Sequence, residues 1–359
     1  QRFVNFRELL GYIWVGVDEV VDMRVVRLDR VGPLLVLAAA ALFSLVACSS
    51  GQDKQPPGPR PDKDDTDTDE PIDTSPPIDT GEEKPPEFDC SAAPMGPYTR
   101  REITAWNVED LAFDDQGNLV GNDWSHVYKT DYNGNRTIFV PNLNFRAGMR
   151  MLSTGELIIA NDNQGELVKV QPDGSYSTLL SGLAYPNGIE IGLDDFIYVT
   201  EHDGNRVRRV DPTNGDHTVI SNGLIQNPNG ITFNEDFTAL YIGGFSGVGY
   251  IYKLPIDKNG NPGKMELWAS GVGSGWLDGM AVDYCGNLYI ADYSVSQILR
   301  YTPNGQFESY VVNGVSYYMA NMQWGSGIGG WDPLKLYIVD GNTENRTIEL
   351  DLGIPSKPR

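Results

Sequence analysis

A pattern with a period of about 40 residues recurs six times and limits the possible folds more than any other feature. In each copy one residue, usually with a side-chain oxygen, precedes a short apolar run, and a turn with glycine follows. These six phase marks are Glu109, Gly148, Asn187, Asn229, Asp278 and Asn321, separated by steps of 39, 39, 42, 49 and 43 residues. Such a period, with several short strands per unit, is typical of β-propeller blades. We therefore predict an all-β, six-bladed β-propeller whose phase marks face one central channel.

The copy between residues 187 and 224 illustrates how one blade is predicted. Apolar or alternating runs at Ile189–Ile191, Phe196–Thr200, Arg206–Val210 and His217–Ile220 are separated by turns rich in Gly, Asp and Asn. Alternation bounded by turn residues predicts four antiparallel strands. A basic residue recurs in the third strand of several copies, and we expect it to face solvent. The recurrent basic residues are Lys129, Lys169, Lys253 and Arg300.

The last copy lacks a fourth strand. After Thr347–Leu350 few residues remain, whereas the segment Thr99–Ala105, ahead of the first copy, resembles the outer strands of other blades. We predict that this N-terminal segment completes the sixth blade and closes the ring, which removes the free sheet edges.

Four regions are predicted along the chain: 1–22, 23–47, 48–89 and the propeller, 90–359. Residues 23–47 combine three arginines with a 14-residue apolar run, as in a signal peptide, which is too short to span a membrane. The run Leu45-Val46-Ala47-Cys48 resembles a bacterial lipobox, which implies cleavage before Cys48 and acylation of its sulfur. Residues 1–22 lack an initiating Met, and we interpret them as upstream sequence read from a wrong start. The alternative is that they are genuine and the apolar run is a membrane anchor.

Residues 49–89 are rich in Pro, Asp and Thr, which predicts an extended, disordered tether. Because Ser49 follows the lipobox, the resemblance favours the outer membrane of a bacterial envelope. The full chain has a net charge of −22, of which the tether contributes −9 and the propeller −13. Phosphate binding requires basic patches, so nucleic acid is excluded as a partner. Cys90 and Cys285 remain after Cys48, and they form either one disulfide or two unpaired thiols.

Three stretches around the phase marks carry a resemblance to a known family. They are Pro186-Asn187-Gly188-Ile189, Asn227-Pro228-Asn229-Gly230-Ile231 and Leu277-Asp278-Gly279-Met280-Ala281-Val282-Asp283. They are similar to the SMP-30/gluconolactonase/LRE-like propellers, and glycine-rich stretches such as Asp203–Val207 are equally similar to NHL repeats. The first resemblance implies a channel calcium ion held by Glu109, Asn187, Asn229 and Asp278, with Asp278 also the candidate general base. Calcium prefers oxygen ligands of this kind.

Each of these residues also has a structural interpretation, because Asn-Gly pairs are common in turns and Glu109 could be a surface carboxylate. Tyr185, Glu201 and His202 are weaker candidates for the substrate rim. Two hypotheses follow. The first is a calcium-dependent hydrolase of a lactone or ester; the second is a tethered binding or scaffold propeller with an unknown protein partner. In both we expect a monomer that meets the membrane only through its lipid anchor.

Overall fold

The computed structural model describes residues 88–105, 107–313, 318–341 and 346–358. The predicted upstream segment 1–22, the signal peptide 23–47, Cys48 and the tether as far as residue 87 lie outside the described residues. One compact unit spans Gly81–Arg359. No helix within the described ranges has the length and apolar character needed to cross a membrane.

The described residues form 24 strands in six antiparallel sheets of four strands, together with two short 3-10 helices, Cys90–Ala92 and Tyr293–Val295. In the first blade the strands, from the channel outward, are β2 (Ala112–Phe113), β3 (Leu119–Asn122), β4 (Val127–Thr130) and β5 (Arg136–Val140). The second blade contains β6 (Met149–Met151), β7 (Leu157–Asn161), β8 (Glu166–Val170) and β9 (Tyr176–Ser181). The third contains β10 (Pro186–Ile191), β11 (Ile197–Glu201), β12 (Arg206–Val210) and β13 (His217–Asn222).

The remaining three blades repeat this order. The fourth contains β14 (Pro228–Phe233), β15 (Ala239–Gly244), β16 (Tyr250–Pro255) and β17 (Glu266–Ser270). The fifth contains β18 (Leu277–Val282), β19 (Leu288–Asp292), β20 (Gln297–Tyr301) and β21 (Phe307–Asn313). The sixth contains β22 (Met319–Trp324), β23 (Lys335–Asp340), β24 (Arg346–Asp351) and β1 (Thr99–Ile103). The all-β, six-bladed propeller predicted from the period is confirmed.

Ring closure follows the prediction as well. Strand β1 pairs antiparallel with β24, with Thr99 opposite Asp351 and Ile103 opposite Thr347. The segment before β1 is further tied to the fifth blade by a Cys90–Cys285 disulfide, whose Cα atoms are 5.6 Å apart. Both ends of the ring are therefore joined within one sheet, and of the two alternatives for Cys90 and Cys285 the disulfide is present.

Hairpin turns share a local signal, Asp-x-x-Gly-Asn, which fixes their geometry. In the fifth blade Asp283 Oδ1 accepts hydrogen bonds from the backbone N–H groups of Cys285 and Asn287, both at 2.9 Å. Gly286, between them, has a φ of +80°, a conformation that glycine adopts without strain. The same turn occurs at residues 114–118, 131–135 and 257–261. This short repeat explains why the strand breaks were visible in the sequence.

The core lies between neighbouring blades rather than at one centre. Trp331, 1% exposed, packs between the sixth and first blades, where it contacts Phe113 and Tyr337 and donates to the Gly117 carbonyl at 2.9 Å. Six apolar clusters of this kind are found among the described residues. Each fully buried large apolar side chain contributes about 1.5–3 kcal/mol relative to exposure. The interfaces therefore hold the ring together blade by blade.

The basic residues of the third strands do not simply face solvent, so that expectation was wrong. Lys129 Nζ lies 3.1 Å from Asp114, and Lys169 Nζ lies 3.0 Å from Glu156, each pairing with the loop between the first two strands of its own blade. The Arg300 side chain is only 3% exposed. For Lys129, Lys169 and Arg300 the basic residue therefore forms an ion pair within its own blade. Alternation in the sequence does not distinguish such a position from one that faces solvent.

Candidate active site in the central channel

The phase marks lie at or near the start of the inner strands. In four blades the pairing of the inner strand with the second strand is irregular at this point. Register shifts occur between Pro186 and Ile189, Pro228 and Ile231, Leu277 and Met280, and Met319 and Met322. A bulge re-aims a side chain and is common beside functional sites. Each shift contains a phase mark: Asn187, Asn229, Asp278 or Asn321.

All four residues predicted as metal ligands line one small cavity. Glu109, Asn187, Asn229 and Asp278 surround it, and Asn321 also contributes to its wall. The two asparagines and Asp278 are 5–8% exposed, whereas Glu109 is partly exposed. The cavity volume of about 10 Å³ is close to the space that one water-sized particle requires. The structure thus brings together side chains from four blades around a space for a single ion or water.

Glycines next to the phase marks allow the inner strands to approach each other. A Cβ on Gly188 would lie 2.2 Å from the Asn229 carbonyl oxygen, and one on Gly230 would lie 1.9 Å from the Asp278 carbonyl oxygen. Neither glycine has a positive φ, and both lie within strands. The interpretation of these Asn-Gly pairs as turns is therefore wrong. They mark close contact between blades.

Three carboxylates, Glu109, Asp110 and Asp278, line the cavity together with Arg150. Burial, together with repulsion from Asp278 and Asp110, raises the pKa of Glu109 well above its usual value. Burial and the charge of Asp110 likewise raise the pKa of Asp278. Asp110 itself is paired with Arg150 Nη1 at 2.6 Å, but no ion pair among the described residues neutralises Glu109 or Asp278. Carboxylates held near each other in a largely enclosed cavity are costly without a bound cation.

The donor set suits a hard cation. Two carboxylates and two amide groups offer oxygen ligands, which calcium prefers. In the described ranges no group of three or more His, Cys, Asp or Glu side chains is placed to hold a metal, so Asn187 and Asn229 would have to complete the shell. The residues present fit a calcium ion in chemistry and in the size of the cavity.

Asp110 and Arg150 are site residues that the sequence analysis missed. Asp110 accepts hydrogen bonds from the backbone N–H groups of Leu111 and Met149, both at 2.7 Å, and is fully buried. It thereby fixes the start of the first inner strand to the second blade. The position of Asp110 directly after Glu109 was the one feature of the sequence that could have indicated it. Its place beside Glu109 did not show that its side chain pairs with Arg150.

Two of the three rim candidates lie at the mouth of the channel. Tyr185, 39% exposed, stacks against His202 with ring centroids 5.4 Å apart. Burial and the negative charges of Asp162 and Glu109 raise the pKa of Tyr185 to about 12. His202 Nδ1 lies 2.8 Å from Asp203 Oδ1. Contact of Tyr185 or His202 with a substrate remains a prediction.

Glu201 does not have the rim position that the sequence suggested. It has no exposed surface. One carboxylate oxygen accepts from the Ala184 N–H at 2.7 Å, and the other pairs with Arg206 at 2.7 Å and with Arg208. These bonds outweigh burial and lower the pKa of Glu201. The side chain anchors the loop that leads into the third inner strand.

The same anchoring contact recurs in other blades, which explains the error about Glu201. Asp292, at the end of β19, accepts from the Ser274 N–H at 2.6 Å. Asp162, directly after β7, accepts from the Arg146 N–H at 2.8 Å. An acidic residue at the end of a second strand is therefore a structural element of the repeat rather than a sign of substrate binding.

Part of the chain matches a known protein family. The sequence profile of the SMP-30/gluconolactonase/LRE-like region matches residues 195–340. The chain carries a gluconolactonase-like region. The resemblance predicted from the sequence is thereby confirmed. The matched region covers the fourth and fifth blades completely and parts of the third and sixth, from β11 to β23.

One known protein is similar to the chain in sequence, and two solved structures are similar to it in fold. The chain is 27% identical over 205 residues to a 6-deoxy-6-sulfogluconolactonase of Pseudomonas putida; the match covers 54% of this chain and 64% of that protein. A gluconolactonase of Xanthomonas campestris superposes with a TM-score of 0.63 and 18% identity, over 75% of this chain and 94% of that one. Regucalcin of Agrobacterium tumefaciens, a calcium-binding protein, gives 0.60 and 18%, over 73% and 96%. At such identities the two structures establish the fold alone.

Proposed function

We propose that the propeller binds calcium in its central channel and hydrolyses a lactone or ester. The observation that carries this proposal is an ion-sized cavity lined by Glu109, Asn187, Asn229 and Asp278 from four blades, in which neither Glu109 nor Asp278 forms an ion pair among the described residues. The gluconolactonase-like region and the sulfogluconolactonase relative support the choice of reaction.

The roles of the residues follow from their chemistry. A bound calcium ion would polarise the carbonyl of the substrate and stabilise the developing oxyanion. Asp278 would accept a proton from the attacking water, whose oxygen bonds to the carbonyl carbon. The carbon–oxygen bond of the lactone or ester then breaks, and the proton passes to the leaving alkoxide. Asp110 and Arg150 hold the neighbouring backbone in place, so they are positioning residues.

A thermal melt of residues 81–359, stripped of metal and titrated with calcium, tests the metal site. A ligand at 100 times its dissociation constant adds about 2.7 kcal/mol to the stability of a native state that alone binds it. For a chain of this length the melting temperature rises by roughly 5–10 °C. Glu109→Gln and Asp278→Asn should abolish the gain. Asp203→Asn, which alters an exposed carboxylate, should retain it.

A panel of lactones and esters, assayed with calcium and with EDTA, tests the reaction. Calcium-dependent hydrolysis that Asp278→Asn abolishes supports the proposal. A gain in stability without hydrolysis of any substrate would instead favour the second hypothesis, a binding propeller with a structural metal. An unchanged melt at millimolar calcium refutes the metal site and the hydrolase together.

We further propose that the chain is a lipid-anchored protein of the bacterial envelope. This rests on the lipobox-like run at Leu45–Cys48 and on the acidic, proline-rich segment that follows it. Metabolic labelling with a radioactive fatty acid should label the full-length chain, and Cys48→Ala should remove the label. Labelling that survives this substitution refutes the assignment of Cys48.

A further inference from the structure

A continuous group of aromatic rings lies on the face where the channel cavity opens. We call these residues the aromatic collar: Tyr185, His202, Phe245, Trp276, Tyr293 and Tyr318. Successive ring centroids are 5.4 Å apart for Tyr185–His202, 6.5 Å for His202–Phe245, 5.0 Å for Phe245–Trp276, 5.6 Å for Phe245–Tyr293 and 5.0 Å for Tyr293–Tyr318. The collar therefore extends from the third blade to the sixth without a gap.

The topology places every member of the collar on one face. Tyr185, Trp276 and Tyr318 directly precede the inner strands β10, β18 and β22, and the other three directly follow second strands. The cavity opens at this face, because the phase marks stand at the starts of the same inner strands.

Much of the collar is open to solvent. Tyr185, Trp276 and Tyr318 are 39%, 40% and 48% exposed. Large apolar rings left in water around a charged cavity are characteristic of ligand sites, which combine mainly apolar walls with a few placed polar groups. An aromatic side chain can offer 150–250 Å² of contact area. The collar thus offers a large apolar surface above the proposed ligands.

At three positions near this mouth the chain offers no side chain that could recognise a hydroxyl group. Gly243 and Gly244 end the second strand of the fourth blade, and Gly148 occupies the phase mark of the second blade, so none contributes a side chain. A site that selects a hydroxylated substrate does so by hydrogen-bonding its OH groups, which are otherwise left unpaired. An apolar ring suits these walls better than a polyhydroxylated one.

We propose that the aromatic collar binds an apolar ring of the substrate, so that the site prefers an aromatic lactone or ester to a hydroxylated aldonolactone. This inference rests on the proposed function. The collar contacts the ring while the ester group reaches the channel between Glu109 and Asp278. Stacking on the collar orients the carbonyl toward the cavity.

Two six-membered lactones provide a matched test on calcium-loaded residues 81–359. They are 3,4-dihydrocoumarin, which is fused to a benzene ring, and glucono-1,5-lactone, which carries hydroxyl groups. We expect kcat/KM for dihydrocoumarin to be at least tenfold higher than kcat/KM for glucono-1,5-lactone. Trp276→Ala should reduce that ratio about tenfold, mainly through KM. Tyr176→Ala, which removes an equally exposed ring from an outer strand, should change neither rate.

The outcomes separate this inference from the proposed function. A preference for gluconolactone, or an equal loss of both rates in Trp276→Ala, overturns the role of the collar and leaves the hydrolase intact. If neither lactone is hydrolysed, the wider panel of lactones and esters decides about the hydrolase, and calorimetry with dihydrocoumarin decides about the collar. Binding that Trp276→Ala weakens supports it, whereas absence of binding overturns it.

Discussion

Removal of the Glu201 carboxylate should destabilise the propeller without acting directly on the chemistry of the channel. Glu201 is fully buried and accepts from the Ala184 N–H at 2.7 Å and from Arg206 at 2.7 and 2.8 Å; it also pairs with Arg208. In Glu201→Ala two guanidinium groups lose their shared acceptor, and the Ala184 N–H loses its partner. Removing one member of a buried ion pair costs about 3–5 kcal/mol.

Urea unfolding of residues 81–359, followed by circular dichroism, measures this loss. We expect the free energy of unfolding to fall by about 3–5 kcal/mol, equivalent to a drop in melting temperature of roughly 6–20 °C. Glu201→Gln should lose less, since its amide oxygen still accepts from Ala184. Glu166→Ala, which alters a partly exposed glutamate of the second blade, serves as the control and should stay within about 0.5 kcal/mol of the wild type.

The pH dependence gives an independent check. Because Arg206, the Ala184 N–H and Arg208 outweigh burial and lower the folded-state pKa of Glu201, its stabilisation is complete above the unfolded pKa of about 4.3. It is lost as the pH falls through the folded-state value. The difference in stability between wild type and Glu201→Gln should therefore be largest near neutrality and shrink below pH 4.3. A stable Glu201→Ala variant whose hydrolysis is selectively lost would refute the anchoring role and restore the rim role.

Two further predictions concern the disulfide and the close contact between neighbouring inner strands. The two cysteines of the Cys90–Cys285 disulfide are 195 residues apart in sequence, and its reduction should lower the free energy of unfolding by about 2–5 kcal/mol. Thermal melts with and without reductant measure this loss. The melting temperature of a Cys90→Ser, Cys285→Ser variant should not change when reductant is added. Gly230→Ala should cost about 1–3 kcal/mol and weaken the calcium-induced gain in melting temperature, because its Cβ would lie 1.9 Å from the Asp278 carbonyl oxygen. Gly243→Ala, whose Cβ meets nothing closer than 3.4 Å, should do neither; equal behaviour of the two glycine variants would contradict this account.

The fold could be predicted from the sequence because the repeat fixes equivalent positions and because the turns carry their own signals. The Asp-x-x-Gly-Asn loops separate strands by local hydrogen bonds, so boundaries such as that before β19 are encoded within five residues. Ring closure was predictable because one outer strand was missing at the end and one was spare at the start. The burial of the Arg300 side chain could not be predicted, because burial of a side chain on a third strand depends on tertiary partners such as Glu308.

The site was predictable to the extent that it follows the period. Glu109, Asn187, Asn229 and Asp278 occupy one phase, so the propeller geometry alone brings them to one cavity. Side chains that turn away from that phase were not predictable. Glu201 ends a strand at the same face, yet a backbone N–H and two arginines draw it inward, and no local pattern shows that choice.

The inner strands form a linked ring, so the geometry of each proposed ligand depends on the next blade. The Gly148 N–H donates to the Asn187 carbonyl at 2.9 Å. Gly188 lies so close to the Asn229 carbonyl, and Gly230 so close to the Asp278 carbonyl, that neither position has room for a Cβ. Displacement of one strand must therefore move the backbone that carries the neighbouring ligand, because packed interiors transmit strain. Substitutions at adjacent glycines should for this reason be non-additive in calcium affinity, as expected for residues in direct contact. The identity of the phase marks determines what the channel binds, and the glycines beside them determine how rigidly the ligands are held.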